Sequence, residues 1–201
     1  MKKETLQKRT KIANDIMYYI YTHIETNIDI EDLSIDLGIS KFHMHRIFKE
    51  AFGKNIYESI KSIRLQKASN LLLTNKYSTI SNIVNLCGYS SQSSFIKIFK
   101  DRFEMTPKEW KNGGYKEYSQ KILLQSQRAS QSKANFKDMV PTIVKMPAIE
   151  SFYIRNKGYN VNIKETWQKL QTWILTNNIT SYKRIALFHD NPTITPLNDC
   201  Q

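Results

Sequence analysis

The run Leu37-Gly38-Ile39-Ser40-Lys41-Phe42-His43-Met44-His45-Arg46-Ile47-Phe48-Lys49-Glu50-Ala51-Phe52 decides how this chain is to be read. Residues 32–37 form a short helical segment carrying Leu33 and Leu37, and Gly38 supplies the positive φ that a tight turn demands. Ile39 plugs the angle between two helices, and Ser40 is a good N-cap for the second. The helical period over residues 41–52 predicts a core face of Met44, Ile47, Phe48 and Ala51. Phe42, His45, Arg46 and Lys49 are left on the other face.

The same anatomy returns further along. Arg46-Ile47-Phe48-Lys49-Glu50-Ala51-Phe52 reappears 51 residues later as Lys97-Ile98-Phe99-Lys100-Asp101-Arg102-Phe103. Gly38-Ile39-Ser40 answers to Gly88-Tyr89-Ser90 at a distance of 50, so the second copy has one extra residue after its glycine. In that copy Ile80, Ile83 and Val84 mark the first helix. Phe95, Ile98 and Phe99 are expected inside, and Gln92, Ser93, Ile96, Lys97 and Lys100 outside. Arginine can bond guanine O6 and N7 together, glutamine can pair with adenine, and apolar groups can touch thymine methyls. Lys49 and Lys100 suit phosphates, which position a protein without specifying sequence. One copy fits a plain helical hairpin with a solvated face as well as it fits a reading surface. Two copies in one basic chain favour binding.

Between them, residues 56–73 place Ile56, Ile60, Ile63, Ala68, Leu71 and Leu72 on one broad face. Such a helix spans roughly 27 Å at ~1.5 Å per residue, against the ~34 Å over which duplex DNA repeats its groove face. Upstream, Ile12, Ile16, Ile20 and Ile24 recur every fourth position, widened by Ala13 and Met17, and predict a further helix. The net charge of +12 and the pI near 9.6 suit a polyanionic partner, since each phosphate neutralised releases counterions.

These residues resemble the DNA-binding domain of the AraC/XylS family of transcription regulators. The matching features are Gly38-Ile39-Ser40, Arg46-Ile47-Phe48-Lys49, Arg64-Leu65 with Ala68 and Leu71-Leu72, Ile83 through Gly88-Tyr89, Ser94-Phe95, Phe99-Lys100 and Thr106-Pro107. The resemblance implies seven helices in residues 1–111, two of which read DNA. Carried over by position, the base-contacting candidates are Phe42, His45 and Arg46, then Gln92, Ser93, Ser94 and Lys97. The sequence departs from the family pattern at Val84 and Cys87, both core positions. Lys97 stands where relatives often carry arginine, which weakens the case for a bidentate base contact there.

The second half reads differently. Residues 112–137 open with the breaker Asn112-Gly113-Gly114 and continue rich in Ser, Gln and Lys. They predict a basic polar linker, with one helix over residues 116–124. Residues 142–145, 151–155 and 185–189 are rich in β-branched and aromatic residues and predict strands, while residues 163–175 have helical spacing. The expected fold is therefore a mainly α N-terminal domain, with two helix-turn-helix motifs joined by a long helix, plus a partial α+β C-terminal domain over residues 138–201. That tail resembles the GyrI-like effector-binding domain, through residues 149–153 with Gly158, Trp167 with Leu170 and Trp173, and His189-Asp190-Asn191-Pro192. The resemblance implies a pocket for a small hydrophobic or cationic effector. The chain ends about where the first half of that fold leads into the second, so the domain is expected to be incomplete.

Two readings stay open: a ligand-responsive regulator, and a DNA-binding module without sensing. Trp173 is the effector-site candidate. Trp167, Phe152 and Tyr153 are expected in the core. The acidic group Glu25, Asp29, Glu31, Asp32 and Asp36 offers RNA polymerase a surface; more simply, it favours a helix N-terminus. Cys87 and Cys200 lack disulfide or zinc spacing, and His43 and His45 lie two apart on different helix faces. No metal, cofactor, catalytic group or membrane span is expected, and the composition fits the cytoplasm.

Overall fold

The computed structural model describes residues 3–75, 77–125, 148–149, 151–159, 162–188, 190–192, 194–196 and 199–200. Among them the chain is helical and contains no β-strand. The order is α1 (Lys3–Thr22), α2 (Ile30–Asp36), α3 (Lys41–Phe52), α4 (Ile56–Thr74), α5 (Ile80–Leu86), α6 (Gln92–Phe103) and α7 (Pro107–Glu109). A π-type turn, Trp110–Gly114, then leads into α8 (Tyr115–Gln125), and α9 (Asn162–Thr176) follows. The chain divides into two compact units, Met1–Tyr115 and Lys116–Gln201.

In the first unit, the isoleucine stripe of α1 does what its period implies. Ala13, Ile16, Ile20 and Ile24 are buried, with Ile12 and Met17 half-covered at its margins. They pack against Ile30 and Leu33 of α2, Met44, Ile47, Phe48 and Phe52 of α3, and Ile56 and Ile60 at the start of α4. Each Ile, Leu, Met or Phe among them contributes roughly 1.5–3 kcal/mol when fully buried. An ion pair from Arg9 to Glu50 ties α1 to α3 at the rim. Ala51 corrects the expected core face. It lies in phase with the stripe yet is exposed, while its neighbour Phe52 is buried against Phe48 with centroids 4.5 Å apart, so at the end of α3 the core face turns to Phe52.

The second half of this unit is built on aromatic rings. Tyr89, Phe95, Phe99, Phe103 and Trp110 follow one another at centroid distances of 5.1, 5.5, 4.5 and 4.7 Å, and Phe99 meets Trp110 edge-on at 84°. Trp110 is fully buried and donates its Nε1–H to the Ser69 carbonyl at 3.1 Å, which fastens this cluster to α4. Ile98 is only half-buried; Phe103 takes the place in the core expected of it. The Asn112-Gly113-Gly114 breaker interrupts the helix as expected: Gly113 takes non-helical angles at φ +115°, a kink after which α8 starts at Tyr115.

Cys87 and Tyr89 should make this core sensitive to alkali. Burial pushes the Cys87 thiol up from 9.0 to about 11 and the Tyr89 phenol up from 10.0 to about 12. Folded values above unfolded ones mean the stabilisation is complete below pH 9 and is lost as the pH rises through 9 toward 12. The urea midpoint should therefore fall above pH 9, and Cys87→Ala should flatten the first part of that fall. Tyr89→Phe should remove the later part at no cost, since its buried hydroxyl has no hydrogen-bond partner among the described residues. A midpoint constant to pH 11 would contradict this.

In the second unit, Tyr118 and Ile122 of α8 are buried, and the Tyr118 hydroxyl donates to the Ile194 carbonyl at 3.3 Å. Gly158 N–H donates to the Cys200 carbonyl at 2.7 Å, and Thr166 of α9 donates to Asn156 Oδ1 at 2.8 Å. The expected strands do not form among the described residues. Residues 151–155 and 185–188 are irregular, without a ladder, while residues 142–145 and His189 lie outside the described residues. The expected linker contains α8; residues 126–137 lie outside the described residues. Phe152 and Tyr153 are exposed instead of entering a core, because no described layer covers them. Trp167 is half-buried, and Trp173 lies against Phe152 with centroids 4.5 Å apart.

Candidate nucleic-acid interface

Both motifs are assembled from the same local devices. In the first, Asp29 caps α2 by accepting from the Glu31 and Asp32 amides. Gly38 turns the chain at φ +62°, its amide bonding the Ile35 carbonyl at 2.9 Å. Ser40 then caps α3 by accepting from His43 N at 3.3 Å. In the second, Thr79 caps α5, Gly88 turns at φ +72°, and Ser91 caps α6 by accepting from Ser94 N at 3.3 Å. The cap falls at Ser91 and not at Ser90, which absorbs the extra residue and puts the two longer helices in register.

The repeat extends beyond the motifs. α3 ends at Gly53 and α6 at Glu104, both left-handed, at φ +72° and +60°. Two residues later, Asn55 with Glu58 and Thr106 with Glu109 each close a reciprocal capping box. The Thr106 amide and hydroxyl hold the Glu109 carboxyl below its ordinary value, which keeps it ionised for this bond.

The outward faces agree position by position. Phe42, Arg46 and Lys49 are exposed on α3, and Ser93, Lys97 and Lys100 occupy the corresponding exposed places on α6. His45 and its counterpart Ile96 are half-buried. Gln92 and Ser94 are exposed in the first turn of α6. Each face thus presents two cations, on its second and third turns, beside a variable residue on its first. Lys41 is drawn to Glu31 by a side-chain hydrogen bond and Coulomb attraction, which raise its pKa.

The contacts of two residues escaped the sequence reading. Tyr57, in the first turn of α4, is exposed and lies beside the His45 ring, with centroids 5.7 Å apart. Nothing in its spacing marks it. Arg64 of α4 reaches the carbonyls of Ile24 and Thr26, 40 and 38 residues away. Of the acidic group, Asp29 caps the N-terminus of α2, in line with the simpler expectation, while Glu25 pairs with Lys67 and Glu31 with Lys41. Among the described residues, no group of three or more His, Cys, Asp or Glu is placed to hold a metal ion, and no helix is long and apolar enough to cross a membrane.

Comparison with known proteins places this domain among relatives. Residues 33–113 match the helix-turn-helix domain family. The probable transcription factor PqrA of Proteus vulgaris is 34% identical over 105 residues, which cover 51% of this chain and 85% of that protein. The xylose operon regulatory protein of Escherichia coli K12 is 34% identical over 96 residues, 48% of this chain and 24% of its own length. The chain thus spans about a quarter of the xylose regulators it matches. Among solved structures, the C-terminal domain of AraT, a response regulator from Geobacillus stearothermophilus, is similar with 25% identity and a TM-score of 0.48, covering 50% of this chain and 84% of that one.

Proposed function

This chain belongs to the AraC/XylS family of transcription regulators, and from that premise we propose that it reads duplex DNA by laying α3 and α6 in successive major grooves. What supports the reading is that the two exposed faces carry cations at the same two places, Arg46 with Lys97 and Lys49 with Lys100, on helices each preceded by a left-handed glycine turn and a serine cap. α4, with 19 residues, is about 28 Å long at ~1.5 Å per residue, a stiff spacer commensurate with the ~34 Å groove repeat. One polypeptide then does the work of a dimer, and the second docking gains from high effective concentration. Phe42, His45, Arg46, Gln92, Ser93, Ser94 and Lys97 are the proposed base-facing residues. Lys49 and Lys100 are the proposed phosphate contacts.

Selection of bound duplexes from a random pool, followed by footprinting, tests the reading: a bipartite site is expected, and protection no longer than one motif can shield would end it. On the selected site, Arg46→Ala should cost about 1–3 kcal/mol and relax base preference at one position. Equal losses on selected and random duplexes would reassign Arg46 to phosphate. Lys100→Ala should weaken all duplexes alike and flatten the salt slope; a loss confined to the selected site would contradict that role.

A small hydrophobic or cationic effector is the second reading, and the exposed Phe152–Trp173 pair is what favours it. Saturable quenching of tryptophan fluorescence by hydrophobic cations is expected on this reading. Its absence would leave a DNA-binding module without sensing.

A further inference from the structure

The two helix-turn-helix halves meet at a joint that neither outward face uses. α4 serves both: Ile56 and Ile60 lie in the first core, and further along Leu65, Ala68 and Leu72 are buried where α4 meets α5 and the Trp110 turn. A single shared helix fixes the distance between the halves, and their packing on it resists rolling about its axis only at a short lever arm. A second contact away from the axis resists that roll more stiffly. The loop after α1 and the turn of the second motif provide one. A Cβ on Gly88 would sit 2.5 Å from the Ile24 carbonyl oxygen and 2.8 Å from Arg64 Nη2, so the two backbones touch.

Arg64 is wedged into this contact. Its Nε donates to the Ile24 carbonyl at 3.1 Å and its Nη2 to the Thr26 carbonyl at 2.6 Å, while its guanidinium carbon lies 5.8 Å from the Tyr89 ring centroid. One end of the group thus holds the first half and its face holds the second. Lys67, nearly one turn on, pairs with Glu25 in the same loop. A planar fork with two directed donors and a face that stacks is a guanidinium property that an ammonium does not reproduce.

We propose that Arg64 is a positioning residue that sets the angle between α3 and α6, and thereby the spacing of the two DNA half-sites that this chain accepts. The inference rests on the two-groove reading above. Each base pair added between half-sites turns one groove face by about 34° relative to the other. A joint that resists rolling converts that rotation into lost affinity, whereas a loosened joint absorbs it.

The test uses the full chain, the selected duplex, versions with one or two base pairs added or removed between its halves, and each half-site alone. The unsubstituted protein should lose about 100-fold on altered spacings, the size of the avidity that simultaneous docking confers. Arg64→Gln should lose less than about 10-fold on them while binding the half-sites unchanged, a pattern that general destabilisation does not produce. If Arg64→Gln fails to melt cooperatively above the assay temperature, Arg64→Lys carries the test and should also relax the spacing penalty. A folded variant that keeps the full penalty, or one that loses half-site affinity in equal measure, overturns the role of Arg64. Indifference of the unsubstituted protein to spacing overturns the two-groove reading and this inference with it, so the two failures are told apart by which protein shows them.

Discussion

Gly88→Ala should destabilise the domain by about 2–5 kcal/mol, at least about twice the effect of Gly38→Ala, although both glycines turn a helix-turn-helix. The shared part of the cost is conformational: at φ +62° and +72° an L side chain pays about 1–2 kcal/mol. At Gly38 that is all, because a Cβ there would meet nothing within 4 Å. At Gly88 the new carbon would stand 2.5 Å from a backbone carbonyl oxygen and 3.0 Å or less from the Arg64 guanidinium. Neither obstacle yields cheaply. The carbonyl belongs to Ile24, whose side chain is buried in the first core, and the guanidinium is held by two hydrogen bonds. Overpacking of this kind adds about 1–3 kcal/mol. Paired urea melts of the two variants decide the matter, and equal losses would show that the joint is softer than its distances imply.

How far the sequence foretold this architecture depends on how local each feature is. The bounds of α3 coincide with the expected 41–52, because the Gly38 turn, the Ser40 cap and the 3.6-residue stripe lie within a few residues of one another. α4 and α9 were legible for the same reason, and so was the exposed set Phe42, Arg46, Lys49, Lys97 and Lys100. Asn112-Gly113-Gly114 was legible on the same grounds, since the break it predicts falls at the non-helical Gly113. The tail was not. β-Structure is made between segments, so β-branched and aromatic composition in residues 151–155 states a preference that only a partner can satisfy. Arg64 was visible only as part of a family pattern, since its acceptors are main-chain carbonyls that carry no mark in the sequence.

Two phenylalanines separate stability from recognition. Phe99 is fully buried, touches Phe95, Phe103 and Trp110, and lies at the centre of the aromatic cluster that Trp110 fastens to α4. Phe99→Ala should cost about 3–5 kcal/mol, the usual penalty for emptying an aromatic site in a core. Phe42 is 78% exposed on the first turn of α3. Phe42→Ala should shift the melt by no more than about 0.5 kcal/mol, as surface changes do, yet it should weaken binding to the selected duplex if the ring meets a thymine methyl. The contrast is a strong check because side-chain chemistry is constant and only placement differs. A melt lowered as much by Phe42→Ala as by Phe99→Ala would mean that Phe42 is part of the core. Unchanged DNA affinity for Phe42→Ala would instead remove that residue from the proposed reading face, and leave His45 and Arg46 as the candidates for base contact on α3.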